Sequence, residues 1–339
     1  MMRPVVALML LAAPALAGCM NDITPTVVYQ NFDGDEAFAL LEEIVYEADG
    51  SLRERRTGEP GHLETAQWLA DRFDPPWEVR LVGGTGADYQ ALPLRSELDH
   101  YRQPSRCAPG DPDRVAAMEI RNVEAYLDNG HPDRVVILAA HWDQNHDTRD
   151  GTDRRVPAAN DGASGVAVLI TIQHALAQAT LDFDVILLLT DAEDGFRDCH
   201  PVAGAALYAA QELDPDVQYR LILLDMVGDP DARFPRESYS NTSAPDMLDL
   251  LWDTAPAAGL EENILDTRRA ILDDHLPFID AGVPSVDIID GGRSGTFPPY
   301  WETVDDTPDN LSAEMLERVG NWLLAALQDP RFAALWTDA

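Results

Sequence analysis

Apolar residues follow two different patterns along this chain. The segments DEAFALLEEIVYEA and PGHLETAQWLADRF place apolar residues three and four positions apart, and this spacing predicts two amphipathic helices. WEVRLVGG, which follows them, predicts a strand. From Arg121 onward, short apolar runs alternate with helical segments, through RNVEAYLD, VVILAAH, GVAVLITIQHALAQA, FDVILLLTDAED, GAALYAAQEL, YRLILLDMVG, APDMLDLLWDTA, VPSVDIID and SAEMLERVGNWLLAAL. This alternation predicts an α/β fold in which helices cover both faces of a mainly parallel sheet.

The remaining segments suggest how the chain is divided. Residues 84–118 are rich in Pro, Asp and Arg, which predicts a long loop. Residues 20–34 are polar without periodicity and predict a tether. We therefore expect one folded domain over residues 35–330.

The first 19 residues, MMRPVVALMLLAAPALAGC, predict an export signal because one arginine precedes an apolar run that ends in small residues. LAGC resembles a bacterial lipobox, in which the cysteine, here Cys19, is acylated and begins the mature protein. The alternative is an ordinary signal peptide cleaved after Ala17. No other stretch is apolar enough to cross a bilayer. We expect an exported, cell-surface or periplasmic lipoprotein that touches the membrane through its lipid anchor only.

Two further cysteines, Cys107 and Cys199, would lie in a compartment that permits disulfides. A bridge between them and two unpaired thiols are both compatible with the sequence.

The chain is strongly acidic, with 60 acidic and 24 basic residues, and every basic residue is arginine. This balance makes nucleic acid an unfavourable partner because the phosphate backbone requires positive charge. Most of the carboxylates are explained by hydration and solubility. The carboxylates that follow buried apolar runs are the ones that indicate a functional role.

Polar side chains follow several of the buried runs. VVILAA ends in His141, VILLLT is followed by Asp191, and LILL ends in Asp225, while PAANDGASG places Asp161 at a helix start. Each residue alone has an ordinary explanation as a packed histidine or a helix cap. Together they predict a site, because ligands bind beyond the carboxyl ends of such strands and crowded carboxylates repel unless cations or protons offset them.

Zinc chemistry accounts for this combination of side chains. Imidazole and carboxylate groups bind zinc and leave a position for water, whose pKa the metal lowers. In DAED, Asp194 as a ligand beside Glu193 as a general base would place both functions on adjacent residues.

The ordered motifs HWD, PAANDGASG, DAED, LLDMVG, DDHLPF, GVPSVDIID and W-T-DD with DNLS resemble those of metallopeptidase family 28. That family contains zinc aminopeptidases and glutaminyl-peptide cyclotransferases, and the likeness covers about residues 36–327. It implies a three-layer α/β/α sandwich with a mainly parallel, mixed central sheet.

The resemblance also assigns roles. Asp161 is implied as the central, bridging ligand, Asp194 as another ligand and Glu193 as general acid and base. In the aminopeptidases His141 and Asp225 would bind a second metal, whereas in the cyclotransferases Asp225 would join Asp274 and Glu193 in an acidic network. The full candidate set comprises catalytic Glu193, Asp274 and Asp143, metal ligands Asp161, Asp194, Glu302, His141 and Asp225, and substrate-pocket residues Trp301, Phe297, Tyr300 and His275.

Glu302 departs from the family pattern, which has WHT where this chain has WET. Glutamate can bind zinc through oxygen, but three carboxylates around one dication leave a surplus negative charge. One or two Zn²⁺ ions are expected, and Mn²⁺ or another harder divalent ion becomes more competitive as carboxylate replaces imidazole. His275, His146 or His200 could supply the missing nitrogen.

Three functions are compatible with these residues; we expect an exported, metal-dependent aminopeptidase and keep the other two as alternatives. The first is a zinc aminopeptidase, favoured by NDGASG and DMVG, and the second is a glutaminyl-peptide cyclotransferase, favoured by DAED, DDHLPF and FPPYW. Both act on the N-termini of peptides or small proteins. The third is a non-catalytic cell-surface binding protein, which the change at Glu302 would permit.

Overall fold

The computed structural model describes residues 32–95, 98, 112–146, 148–149, 151, 154–195, 201–292 and 295–336. Cys19, Cys107, Cys199 and His200 lie outside the described residues, so the lipid anchor and the disulfide stay predictions.

Six strands form the central sheet in the order β1-β2-β4-β3-β5-β8. Strands β4, β3, β5 and β8 run parallel, and β1 and β2 pair antiparallel at one edge. Two further strands, β6 and β7, form a small parallel sheet. The strands are β1 Glu78–Thr85, β2 Glu119–Leu127, β3 Arg134–His141, β4 Asp184–Thr190, β5 Gln218–Asp225, β6 Phe234–Glu237, β7 Ile264–Arg269 and β8 Ser285–Ile289.

The described α-helices vary from single turns to four turns. They are α1 Gly34–Val45, α2 His62–Ala70, α3 Gly86–Gln90, α4 Pro112–Ala117, α5 Ser164–Leu176, α6 Ala203–Gln211, α7 Ser238–Ser243, α8 Pro245–Thr254, α9 His275–Asp280, α10 Ala313–Leu327 and α11 Pro330–Ala334. A π-helical turn, Ala159–Ala163, precedes α5.

Strand β3 shows how the sheet separates two hydrophobic cores. Val136, Leu138 and Ala140 face the larger core, to which α1, α5 and α10 contribute. The alternate positions on β3 face the smaller core, where side chains from α6 and α9 pack. Because both faces of the central strands are buried, they have nearly continuous apolar sequences. The predicted three-layer α/β/α fold with a mainly parallel, mixed sheet is confirmed.

The structure differs from the sequence prediction at two segments. Residues 84–118 include two short helices, α3 and α4, where only a loop was predicted. The predicted tether reaches residue 34, but Phe32 is only 6% exposed and Asp33 caps α1. A Cβ atom on Gly320 would lie 2.3 Å from Cδ2 of Phe32, so the folded unit includes Phe32.

No helix within the described ranges has the length and apolar character needed to cross a membrane.

Candidate functional site

Three parallel strands bring side chains to one edge of the sheet. Strand β3 ends at His141, β5 ends at Asp225, and β4 is followed directly by residues 191–194. Since β4, β3 and β5 are parallel neighbours, their carboxyl ends lie side by side. This edge is where open α/β sheets bind ligands.

The imidazole of His141 contacts three carboxylates. Its Nε2 lies 3.1 Å from Asp161 Oδ1 and 3.3 Å from Asp225 Oδ1, and its Nδ1 lies 3.4 Å from Asp143 Oδ1. Burial lowers the pKa of His141, but these three carboxylates together raise it well above its ordinary value. One ring nitrogen therefore faces two of the predicted metal ligands.

A glycine allows Asp161 to approach this histidine. Within the π-helical turn, Asp161 has φ −76° and ψ 95°, and Gly162 has φ 85°, a left-handed conformation that favours glycine. A Cβ atom on Gly162 would lie 2.7 Å from both Cε1 and the carbonyl oxygen of His141. A glycine directly after Asp161 is therefore needed for the turn to pack this closely against His141.

The carboxylate of Asp306 stabilises the same turn through hydrogen bonds to its backbone. Its Oδ1 accepts a hydrogen bond from the Asn160 backbone N–H at 2.8 Å, and its Oδ2 accepts one from Asp161 N–H at 3.2 Å. Burial, and then the charge of Asp161, raise the pKa of Asp306 to about 7. Asp306 thus orients the backbone that carries Asp161.

Arg55 places a positive charge behind the acidic site. Its buried guanidinium donates to the carbonyls of Pro157 at 2.6 Å and Ala158 at 2.7 Å, and to that of Trp142 at 3.2 Å. Burial lowers the pKa of Arg55 to about 10, so it stays charged at neutral pH. This cation fixes the backbone on both sides of the site and partly offsets the carboxylates.

Asp143 positions the residues that follow β4. Its Oδ1 accepts a hydrogen bond from Glu193 N–H at 2.9 Å and its Oδ2 accepts one from Asp194 N–H at 3.1 Å. The side chain is 0% exposed and does not line the cavity described below. Asp143, expected among the catalytic residues, is therefore a positioning residue.

The site opens into a cavity of about 520 Å³ with an acidic side and an apolar side. Its carboxylates are Asp161, Glu193, Asp194, Asp225, Asp273 and Glu302. Its larger apolar side chains are Leu98, Met226, Ile271, Leu272, Ile289, Phe297 and Trp301. Apolar walls with a few converging polar groups are typical of small-ligand sites.

Glu193 belongs to a group of mutually repelling carboxyls. Burial, and then the charge of Asp273, raise the pKa of Glu193 well above its ordinary value. Burial, and then the charge of Asp225, do the same for Asp273. We call Glu193, Asp225 and Asp273 the acid cluster, because the pKa of each is raised, first by burial and then by neighbouring charges.

An amide joins the second predicted ligand to the unusual glutamate. Asn145 Nδ2 donates to Asp194 Oδ1 at 3.3 Å and to Glu302 Oε1 at 3.2 Å. The backbone N–H of Arg149 donates to the carbonyl of Glu302 at 2.8 Å. The Glu302 side chain therefore turns toward the cavity, on the same wall as Asp194, while its role as a ligand stays a prediction.

Two neighbouring aspartates, Asp273 and Asp274, both act on Glu193 through their charge but differ in their contacts. Asp274, expected in an acidic network with Glu193 and Asp225, interacts with both through its charge. Its carboxylate accepts a hydrogen bond from the hydroxyl of Thr190 and does not line the cavity, so its catalytic role stays a prediction. Burial raises the pKa of Asp274 to about 7. Asp273 lines the cavity, and its Oδ2 is buried without a hydrogen-bond partner among the described residues.

Two of the four predicted pocket residues do not line the cavity. His275 is 0% exposed, and its Nε2 lies 3.2 Å from Glu237 Oε2. The hydroxyl of Tyr300 donates to Asp229 Oδ2 at 2.5 Å, which directs it away from the cavity. Phe297 and Trp301 do line it, with their ring centroids 4.6 Å apart. The structure thus places His275 and Tyr300 outside the cavity lining, and their expected contact with substrate, like the replacement of the missing ligand by His275, stays a prediction.

His146 is also placed away from a ligand role, because its Nε2 lies 3.0 Å from the carbonyl oxygen of Thr57.

Sequence reasoning did not single out four residues that shape the site. Asp273 and Asp306 lie inside motifs that were recognised, DDHLPF and WETVDD, but the adjacent carboxylates in each motif could not be ranked. Asn145 and Arg55 belong to no pattern. Their roles depend on contacts with residues distant in the chain.

The donor atoms around the cavity fit a divalent metal ion. Asp194 Oδ2 is buried and accepts no hydrogen bond from any described donor, which is costly unless a cation contacts it. Ligand atoms of His141, Asp161 and Asp225 all lie within 4.8 Å of one another. Imidazole nitrogen with carboxylate oxygen is a donor set that zinc and other divalent transition metals accept.

Comparison with known families gives one match to a family model. Residues 122–327 match the model for peptidase family M28.

Two similar proteins carry different enzyme names. Aminopeptidase YwaD of Bacillus subtilis is 24% identical over 204 residues, which cover 59% of this chain and 41% of that protein. A glutaminyl-peptide cyclotransferase of Bos taurus is 24% identical over 226 residues, which cover 56% of this chain and 61% of that protein. The chain thus spans less than two thirds of the length of each relative.

Similar solved structures also include both glutaminyl cyclases and aminopeptidases. Bacteroides thetaiotaomicron glutaminyl cyclase bound to N-acetylhistamine has a TM-score of 0.71 and 25% identity, covering 88% of this chain and 98% of that chain. A leucine aminopeptidase precursor from the same organism has a TM-score of 0.71 and 25% identity, covering 89% and 99%.

Proposed function

Because the chain belongs to peptidase family M28, we propose that it is a metal-dependent enzyme that acts on peptide N-termini and converts N-terminal glutamine to pyroglutamate. The observation that carries the cyclase proposal is the acid cluster of Glu193, Asp225 and Asp273 at the wall of a partly apolar cavity. Cyclisation moves a proton from the substrate amine to departing ammonia, which requires a group that both accepts and donates a proton.

The acid cluster suits that proton movement. In the proposed reaction the α-amino nitrogen attacks Cδ of the glutamine side chain, a C–N bond forms, and the bond from Cδ to the amide nitrogen breaks. Glu193 accepts a proton from the amine and returns it to the leaving nitrogen, which departs as ammonia. Burial, and then the charge of Asp273, raise the pKa of Glu193, which suits a group that must both accept and donate a proton. Burial, and then the charge of Asp225, raise the pKa of Asp273 in turn.

Asp161, Asp194 and Glu302 would hold the metal ion. When bound, zinc would supply Lewis acidity that polarises the amide carbonyl. Asp143 keeps Glu193 and Asp194 on the cavity edge through their backbone N–H groups. Phe297 and Trp301 present apolar surface to the aliphatic part of the substrate and reduce the water around its reacting carbon.

Aminopeptidase activity is the second candidate, and the grouping of His141, Asp161 and Asp225 favours it. These three residues could hold a further ion, which suits hydrolysis by two metals. In that reaction Glu193 would take a proton from the attacking water and deliver it to the amine of the leaving peptide.

One paired assay separates the candidates. The zinc-loaded and the manganese-loaded protein would each be given glutamine arylamide and leucine arylamide, with release of ammonia and of arylamine measured separately. A cyclase releases ammonia from the glutamine substrate and leaves the arylamide bond intact. An aminopeptidase releases arylamine. Neither product, despite bound metal, would contradict both enzyme proposals and favour the non-catalytic binding protein.

A further inference from the structure

Two arginines lie against the aromatic rings at the apolar side of the cavity. The guanidinium carbon of Arg269 is 4.0 Å from the ring centroid of Phe297, and that of Arg149 is 5.6 Å from the ring of Trp301. The two rings are themselves 4.6 Å apart, and both line the cavity. Neither arginine lines the cavity, so both lie next to the aromatic pair rather than among the lining residues.

These arginines form no close ion pair within the described part of the chain, although the charge of Asp290 acts on Arg269. Among the described residues, no carboxylate oxygen lies within ion-pair distance of either guanidinium. Arg269 donates to the carbonyl of Gly291 at 3.1 Å, which orients it, and Arg149 is exposed. Other arginines are paired with carboxylates, including Arg80, Arg95, Arg236 and Arg331.

The carboxylates that line the cavity and the two arginines next to its aromatic rings carry charges of opposite sign. Six carboxylates line the interior, where they attract a peptide ammonium group and repel a carboxylate. The planar guanidinium groups next to the two rings are suited to bind a carboxylate. This arrangement would orient a peptide with its amino end inward and a negative group at the two arginines.

We propose that Arg149 and Arg269 form a carboxylate subsite that makes the enzyme prefer peptides with a negative group just after the N-terminal residue. The proposal rests on the proposed function, because it assumes that a peptide N-terminus enters the cavity. The carboxylate has two sources, an acidic side chain at the second position or the free carboxyl terminus of a dipeptide.

The test compares matched peptides on the full chain loaded with metal. The C-terminally amidated tripeptides Gln-Glu-Ala and Gln-Gln-Ala differ in the second side chain, and Gln-Ala with a free or an amidated C-terminus differs in the terminal carboxylate. Parallel peptides beginning with leucine cover aminopeptidase activity. We expect kcat/KM to be about 5-fold higher for the carboxylate member of at least one pair, the scale of two partly exposed charge contacts.

The single variants Arg149→Gln and Arg269→Gln should each reduce this preference. In the double variant the ratio of the two kcat/KM values should fall to about 1, because both charges are removed. Turnover of the uncharged peptides should change little. Arg268→Gln is the matched control, since this exposed neighbour on β7 points to the opposite face of the strand. Arg269→Lys should keep part of the preference because it retains the charge but loses the planar stacking group. Added salt should lower the preference of the unmodified protein.

Two results would overturn the subsite: no preference in the unmodified protein, or a preference that the double variant and Arg268→Gln retain equally. If no peptide is turned over, the proposed function fails separately. The same pairs would then be compared by calorimetric binding to the metal-loaded protein, where equal affinity within both pairs would also overturn the subsite. Loss of the affinity difference in the double variant alone would support it.

Discussion

Glu302 has a positive φ of 53° and a side chain that shares Asn145 with Asp194. Its position beside the cavity makes its chemistry the main variable of the proposed metal centre. A third carboxylate beside Asp161 and Asp194 attracts any dication but adds charge without a nitrogen donor. In the proposed enzyme, individual side chains decide which metal ion binds and which group transfers the proton.

Glu302→His should raise zinc affinity by about tenfold or more, because it removes surplus negative charge and supplies the nitrogen donor that zinc accepts readily. Histidine tolerates the left-handed backbone region better than most residues. Zinc affinity would be measured by competition with a chelator, and zinc-supported turnover in parallel. Glu302→Gln is the control, since it removes the charge without adding nitrogen. Equal or weaker zinc binding by the histidine variant would contradict the ligand role of Glu302.

Glu193→Gln should lower turnover at least ~100-fold, the scale expected when a general base is lost. Metal content should stay near that of the unmodified protein, because the change keeps the size of the side chain and leaves Asp194 intact. Turnover and metal content would be measured on the same preparation. Asp194→Asn is the comparison and should lose metal. If Glu193→Gln loses metal instead, the roles of the two residues are reversed.

At the scale of elements, the turn between β3 and α5 decides how closely Asp161 approaches His141. Gly162 occupies a left-handed conformation and lies against the His141 ring. A side chain at this position would therefore be disfavoured both by the backbone conformation and by a clash with His141. Asp306 secures the same turn through two backbone N–H groups. The geometry of the candidate ligands therefore depends on the local backbone as well as on the side chains themselves.

Gly162→Ala should destabilise the protein and lower its metal content. Gly130→Ala is a closely matched control because Gly130 has the same φ of 85° but would place its Cβ more than 4 Å from other atoms. The control should cost about 1 kcal/mol for the left-handed backbone, and Gly162→Ala about 2 kcal/mol more for the clash with His141. Denaturant unfolding and metal analysis would measure both. Equal losses in the two variants would show that the contact with His141 is unimportant.

At the scale of the whole molecule, buried acids make stability depend on pH. Burial raises the pKa of Asp274 and of Asp306 to about 7 from the ordinary value of 3.8. Between those values the folded state keeps protons that the unfolded state has released. Stability is therefore highest below the unfolded pKa and falls as pH rises through the folded pKa.

The metal-free protein should melt at a lower temperature at about pH 8 than at about pH 5, because ionisation of these buried acids opposes folding above their raised pKa values. Differential scanning calorimetry in the presence of a chelator would measure the change. Asp306→Asn should flatten the pH dependence, since one of the two acids is removed. Bound metal should reduce the fall, because a cation stabilises charged carboxylates nearby. A melting temperature that rises with pH over this range would be the opposite of what the buried acids require.

The anchor proposed from LAGC also belongs to the whole molecule. Cys19→Ser should move the protein from the membrane fraction to the soluble fraction, because the acylated thiol is removed. Fractionation with detection of the processed chain would measure this, and Cys107→Ser would control for general effects of cysteine loss. Retention of Cys19→Ser in membranes with unchanged processing would contradict the lipoprotein proposal.

The sequence by itself determined the layered α/β fold, the strand ends that carry His141, Asp191 and Asp225, and the departure at Glu302. These features follow from local periodicity and from the rule that parallel strands share an edge. Neighbouring residues could not be ranked in this way, because the direction of each side chain depends on what packs against it. Only the tertiary structure decided that Asp273 faces the cavity while Asp274 contacts Thr190, and that His275 is buried against Glu237. The contacts of Asn145 and Asp306 likewise join segments far apart in the chain, so their roles arise from packing rather than from any sequence pattern.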